Sequence, residues 1–316
     1  MSRRTIAPLL LDAVLEVILL ATCVFLAFRV PEFRTVENLL NILRSISEIG
    51  VIAFGMTMVI IAGEIDLSVG SVVALAGCLT AWLVQHRCPV WPAILVTLAT
   101  GFACGGATGV MRARYGVPSF ITSLALMSAL HGAALKLTGG FPIAPFPAWY
   151  YFLGSGYVMR VPFPPVVFAS AFLIVFVLLK HTAFGRSIYA VGGNAEAARL
   201  CGIPVGRIRV LVLGLTGCLA ALSGVMLSSR LMSGTPTVGA GWELSVIAAV
   251  VVGGTSLRGG SGSVWGTLIG VILIGVIDNG MRLCNLHDDW QYIARGVLIV
   301  LAVLLTRLRQ SQLMQP

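Results

Sequence analysis

Between Leu9 and Thr306 the chain is a near-unbroken series of apolar runs joined by short polar stretches, and this pattern constrains the fold more than any motif does. A bilayer core of about 30 Å is crossed by roughly 20 apolar residues in a helix. On that measure ten segments stand out: Leu9 to Phe28, Ile46 to Ala62, Leu67 to Val84, Trp91 to Met111, Pro118 to Leu137, Pro162 to Leu179, Val210 to Leu231, the short Glu243 to Thr255, Val264 to Arg282, and Trp290 to Thr306. Only 10% of residues are charged and 58% are hydrophobic, whereas a soluble domain carries about 25% charged residues. In lipid the backbone has to satisfy its own polar groups, which selects helices for runs of this length. The expected fold is an all-α polytopic membrane protein of about ten transmembrane helices, a single membrane domain over residues 1–316.

The net charge of +9 does not point to nucleic acid, because the basic residues are scattered between apolar runs rather than gathered on one face. They serve instead to orient the chain. With the N-terminus inside, Arg3, Arg4, Arg112, Arg114, Lys180, Arg186, Arg199, Arg207, Arg209, Arg258, Arg307 and Arg309 fall on the cytoplasmic side, against a sparser outer set that includes Arg29, Arg34, Arg44, Arg87, Arg160, Arg230 and Arg282, a moderate bias. Ten spans then place both termini in the cytoplasm. The basic start resembles a signal sequence, but Asp12 and Glu16 argue for a retained first helix. The stretch from Pro142 to Val161 is too rich in proline, glycine and aromatic residues to span, and is expected at the interface with Trp149, Tyr150, Tyr151 and Tyr157 at headgroup level. The seven cysteines have no paired spacing and read as packing residues.

The longest polar interruption is Lys180 to Arg209, KHTAFGRSIYAVGGNAEAARLCGIPVGRIR. Within it Gly192 and Gly193 open a short helix that Gly202 and Pro204 close. Asn194 is placed to cap the first turn and Glu196 lies near its positive end, with Ala198 and Arg199 following. This is where a membrane protein would meet a soluble partner.

Two other stretches break the apolar pattern: Gly63 to Ser71, with Glu64, Asp66, Ser68 and Ser71, and Gly253 to Ser263, with Ser261. Each supplies glycines to bend the backbone and polar groups to start a new helix. They read either as tight cytoplasmic turns or as broken helices lining a path. A charge near the bilayer centre costs about 2.5–3.5 kcal/mol on insertion scales, so Glu48, Glu243, Asp278 and Arg295 each need a reason. Glu48 and Glu243 are expected near helix starts, where a carboxylate is favourable. Asp278 and its neighbour Asn279 are candidates for a polar path, and Arg295 for snorkelling to the headgroups. Lys136 and Lys180 are the only lysines, neither in a phosphate-cradling loop. No histidine has metal-ligand spacing and no serine sits in a nucleophile elbow, which disfavours an enzyme.

Three separated motifs in order, GEIDLSVGS, FGRSIYAVGGNAEAARLCGI and AAVVVGGTSLRGGSGSVWGTLIG, closely resemble the permease subunits of ribose-type ABC sugar importers, over nearly the whole chain. The resemblance implies the ABC importer permease fold with short broken or re-entrant segments, and a bacterial inner-membrane location. It implies a second permease copy, a periplasmic sugar-binding protein, and an ATPase subunit with two nucleotide-binding domains that carries the ATP and Mg, no cofactor being bound by this chain. It makes residues 181–209 the cytoplasmic coupling loop, with Gly192 to Ile203 as the coupling helix. Glu64 departs from the glycine found in many members. Permeases for branched-chain amino acids or sugar-derived signalling molecules are related alternatives. An ion-coupled secondary transporter, with Asp278 as its buried carboxylate, is another.

Overall fold

A computed structural model describes residues 14–286 together with 290, 293, 296, 297 and 300. The run from Trp290 to Thr306 with Arg295, and the terminal residues Arg3, Arg4, Asp12, Arg307 and Arg309, fall largely outside them. The described residues form twelve α-helices: α1 Val14–Arg29, α2 Val36–Ile61, α3 Val69–Gln85, α4 Val90–Tyr115, α5 Ser119–Thr138, α6 Tyr151–Ser155, α7 Phe163–His181, α8 Ala183–Gly193, α9 Ala195–Leu200, α10 Val205–Leu231, α11 Trp242–Val252 and α12 Val264–Leu283. Six of these, α2, α4, α5, α7, α10 and α12, are long and apolar enough to cross a membrane, while α3 and α11 are shorter apolar helices. The first nine expected runs each coincide with a helix.

The largest difference lies in α2. Its hydroxyl cap at Thr35 accepts from the Asn38 backbone N–H at 3.2 Å, so the helix begins ten residues before the expected Ile46. The apolar criterion misses this start because Asn38, Asn41 and Ser45 interrupt it. Those residues and Glu48 are spaced by three and four, which places them on one helical face. α2 is also the centre of the bundle, with 83% of its most apolar window buried against 17% for α5.

Glycines set the closest helix approach. Gly101, Gly105 and Gly109 of α4 face Gly217, Leu213 and Val210 of the antiparallel α10, and a Cβ at any of the three would run into α10 backbone. This is small-residue packing of the kind that substitutes for hydrophobic driving force between helices in lipid. Buried hydroxyl pairs add cross-links: Thr57 to Thr267 at 2.7 Å between α2 and α12, and Thr80 to Thr97 at 2.9 Å between α3 and α4.

Two non-helical segments run inside the bundle. After α2, residues 62–68 pass along the first turn of α5, where the Ile65 and Leu67 N–H groups donate to Ser119 Oγ at 3.1 Å and Ser123 Oγ at 3.0 Å. Before α11, residues 232–241 descend along α3 from the level of Ala81 to that of Gly70, with positive φ at Gly239 and Gly241. α11 therefore starts at depth, and its 11 residues span about 16 Å, half a bilayer core. The second broken segment thus precedes α11, while 253–263, open in the sequence between a tight turn and a broken helix, is the turn joining α11 to α12. The segment 142–161 holds a helical turn, α6 and a two-residue hairpin of β1 Tyr157–Val158 with β2 Val161–Pro162. Trp149, Tyr151 and Tyr157 are about half exposed, but Tyr150 is fully buried. Its hydroxyl donates to Val225 O at 3.1 Å and lies 2.8 Å from Ser228 Oγ, which removes it from the expected headgroup position.

Candidate functional site

The polar insert folds into two short helices. Thr182 Oγ1 accepts from Gly185 N at 3.1 Å and starts α8. That helix runs through Gly192 and Gly193, which end it rather than open the next one. Asn194 then leaves the helical region and caps α9, its Oδ1 accepting from the Glu196 and Ala197 N–H groups at 3.0 Å each. Glu196 and Arg199 form an exposed ion pair at 2.6 Å. Ala198 faces inward, Leu200 is 81% exposed, and Gly202 with φ +82 closes the turn. The result is a small projecting helix with an apolar tip between charges.

Beneath it three backbones meet through glycine. Gly260 N donates to Ile61 O at 2.8 Å, joining the 253–263 turn to the end of α2. A Cβ on Gly192 would strike both groups. One on Gly259 would lie 2.8 Å from Gly192 O and 2.9 Å from Gly63 Cα, and one on Gly260 would lie 2.8 Å from Gly193 Cα. Gly259 and Gly260 also have φ of +84 and +73, a region that favours glycine. The Tyr189 hydroxyl donates to Gly262 O at 2.9 Å. The insert is thus seated on both interruptions singled out in the sequence.

The path candidates divide into two groups. Glu64 is buried and its Oε1 lies 2.9 Å from Arg112 Nε and 2.7 Å from Arg209 Nε, tying the ends of α4 and α10. Asp66 is fully buried; its Oδ1 accepts from Ser68 N at 2.8 Å and Ser68 Oγ at 2.6 Å. Ser71 is buried in the first turn of α3, and Ser261 is an exposed turn residue whose carbonyl accepts from Ser256 N at 3.0 Å. Glu64, through Arg209, and Ser261, beside Gly260, stand near the insert, and the contacts of Glu64, Asp66 and Ser68 are internal to the fold.

Asp278 and Asn279 are elsewhere. They line a cavity of about 170 Å³ between α2, α11 and α12, with Asn41, Ser45, Glu48 and Arg230. Asn279 exchanges reciprocal amide hydrogen bonds with Asn38, at 3.1 and 2.8 Å. Glu48 is 1% exposed and its Oε2 lies 3.2 Å from Arg230 Nη2. It sits thirteen residues from the end of α2 at Ile61, about 20 Å along the axis. The expectation that Glu48 marks an exposed helix start is overturned, because the helix extends twelve residues further back. Glu243 does fall in the first turn of its helix, half-buried beside Gly70. Glu48, Arg230, Asn41 and Ser45 were not among the expected path residues; the polar stripe at 38, 41, 45 and 48 was the available signal.

Residues 38–303 match the family described as Branched-chain amino acid transport system / permease component. The chain belongs to this permease family. It is 44% identical over 278 residues, 87% of its length and 86% of the relative's, to the ribose import permease protein RbsC of Haemophilus influenzae. It is 42% identical to the Bacillus subtilis ribose import permease over 89% of this chain and 88% of that one. The L-arabinose ABC transporter permease protein AraH of Azospirillum brasilense is 38% identical, covering 91% and 85%. No solved structure matches the chain. The permease is a multi-pass membrane transport component rather than an enzyme.

Proposed function

We propose that this permease is the membrane subunit of an ATP-binding-cassette importer that carries a monosaccharide from a periplasmic binding protein into the cytoplasm. The observation that carries this reading is the projecting α9, capped by Asn194 and seated through the Gly192, Gly259 and Gly260 junction on the ends of α2 and of the α11–α12 hairpin. A rigid displacement of α9 by a closing ATPase is passed directly to the helices that surround the bundle centre. ATP and Mg then belong to the partner ATPase. About ten spans, both termini in the cytoplasm, an inner-membrane location and pairing with a second permease copy complete the assembly. The relatives named for ribose and arabinose import favour a sugar over a branched-chain amino acid or a sugar-derived signal as cargo.

The test is reconstitution of the permease with its ATPase in proteoliposomes, adding the binding protein outside. Uptake of labelled pentose is expected only with ATP inside and binding protein outside. Uptake driven by an ion gradient without ATP, and abolished by Asp278→Asn, would replace this reading with a secondary transporter.

A further inference from the structure

The cavity around Glu48 carries an assignment of its own. A second hollow of about 410 Å³ shares Asn41, Ser45 and Arg230 with it and opens past Arg44, Tyr151 and Tyr157 to the side of the bundle away from α9. Arg44 is held at this mouth, with its Nη1 donating to Asn41 Oδ1 at 2.9 Å and its Nη2 to the Tyr157 hydroxyl. Its guanidinium carbon lies 5.1 Å above the Tyr157 ring. Through these shared residues the two hollows lead from the surface to the buried carboxylate.

We propose that the inner cavity is a binding site for a neutral polyhydroxylated ring, a single monosaccharide, held within one permease copy before it enters the path; this rests on the importer reading above. The buried Glu48 Oε1 has no hydrogen-bond partner. A buried acceptor of this kind calls for a donor, which a sugar hydroxyl supplies. Among the described residues the wall carries two carboxylates, Glu48 and Asp278, and two guanidiniums, Arg230 and Arg282, equal numbers of each sign, which gives a charged ligand no advantage over a neutral one. Asn41 offers both a donor and an acceptor, matching hydroxyls that do both. Trp242 adds an aromatic wall of the kind that covers the apolar face of a ring. The reciprocal Asn38–Asn279 amides fix the spacing of α2 and α12 below the ligand, which is preorganisation.

The experiment uses the permease–ATPase assembly in lipid nanodiscs without binding protein, and reads saturation-transfer NMR with D-ribose, L-arabinose and the anion ribonate at millimolar concentration. The neutral pentoses should show transfer and ribonate should not. Ser45→Phe, which fills the cavity, should abolish the pentose signal, and Glu48→Gln, which keeps an oxygen acceptor but removes the charge that strengthens it, should weaken it, in assemblies of wild-type composition. Should Glu48→Gln fail to assemble, Asn41→Leu takes its place with the same expectation. Absence of transfer in the wild type, preference for ribonate, or an undiminished signal in Ser45→Phe would overturn the site and leave the cavity as hydration for the Glu48–Arg230 pair. ATP-driven uptake measured in parallel separates the two readings: uptake without cavity binding removes only this site, whereas lack of ATP dependence removes the importer.

Discussion

Glu64 shows how one side chain can be read two ways from sequence and one way from structure. A carboxylate beside a glycine break is an attractive path residue, yet its Oε1 is shared by Arg112 and Arg209 and it has little water to offer a solute. Removing its charge leaves two guanidiniums facing each other. Breaking a fully buried pair costs about 3–5 kcal/mol; the two arginine side chains are 28% and 17% exposed, so a smaller loss is expected here. Glu64→Gln should lower the thermal midpoint of the nanodisc-embedded permease, and the double change Glu64→Gln with Arg112→Gln should recover part of it, because paired residues are non-additive. A midpoint equal to wild type in the single variant would return Glu64 to the list of solute contacts. Gly70 moves in the same direction. A side chain there meets Gly239 O and the Glu243 carboxylate, so Gly70→Val should reduce the amount of folded permease rather than block a path in an intact one, as recovered protein after purification would show.

Among the elements, α9 is the one whose stability is least its own. Six residues are far below the length at which a helix holds in water, so it depends on the Asn194 cap and on Ala198 packed beneath. Asn194→Ala should cost about 0.5–2 kcal/mol of local stability, and should lower binding-protein-stimulated ATP hydrolysis more than it lowers the unfolding midpoint of the membrane domain. Arg199→Glu sets two like charges three residues apart, a cost of only a few tenths of a kcal/mol, so any large loss of uptake with intact ATPase assembly reports docking; unchanged uptake and hydrolysis would remove α9 from the contact. The cap and the closing turn were legible in the sequence because Asn and Gly act locally. The break between α8 and α9 was misplaced, since Gly192 and Gly193 are there for close approach to Ile61 O and Gly260, a reason held by distant backbone. The early start of α2 was hidden for a related cause: hydropathy scores a polar stripe as an end, while a helix can carry that stripe along a face that lines a cavity. The descent of residues 232–241 was invisible because composition reports a loop but not its depth.

At the scale of the molecule, apolar runs mark nine of the twelve α-helices in their order over the described residues, but their placement follows from which faces are left uncovered. α5 is a spanning helix with only 17% of its most apolar window buried, and its exposed residues are not all lipid-like. Ser128, His131, Gly132 and Ala133 are exposed on it, and a Cβ on Gly132 would meet nothing within 4 Å. A histidine within a membrane span favours protein or a water-filled path over lipid, and small residues permit close helix approach. These residues therefore mark the face where a second permease copy is expected, with the path between the two. Native mass measurement of the assembly should give two permease copies. Gly132→Cys should link them by a disulfide or a short bifunctional thiol reagent, and His131→Trp should depress uptake while leaving each copy folded. A single copy in an assembly that still transports, or Gly132→Cys copies that no short linker joins while His131→Trp transports at the wild-type rate, would place this face against lipid and put the path elsewhere.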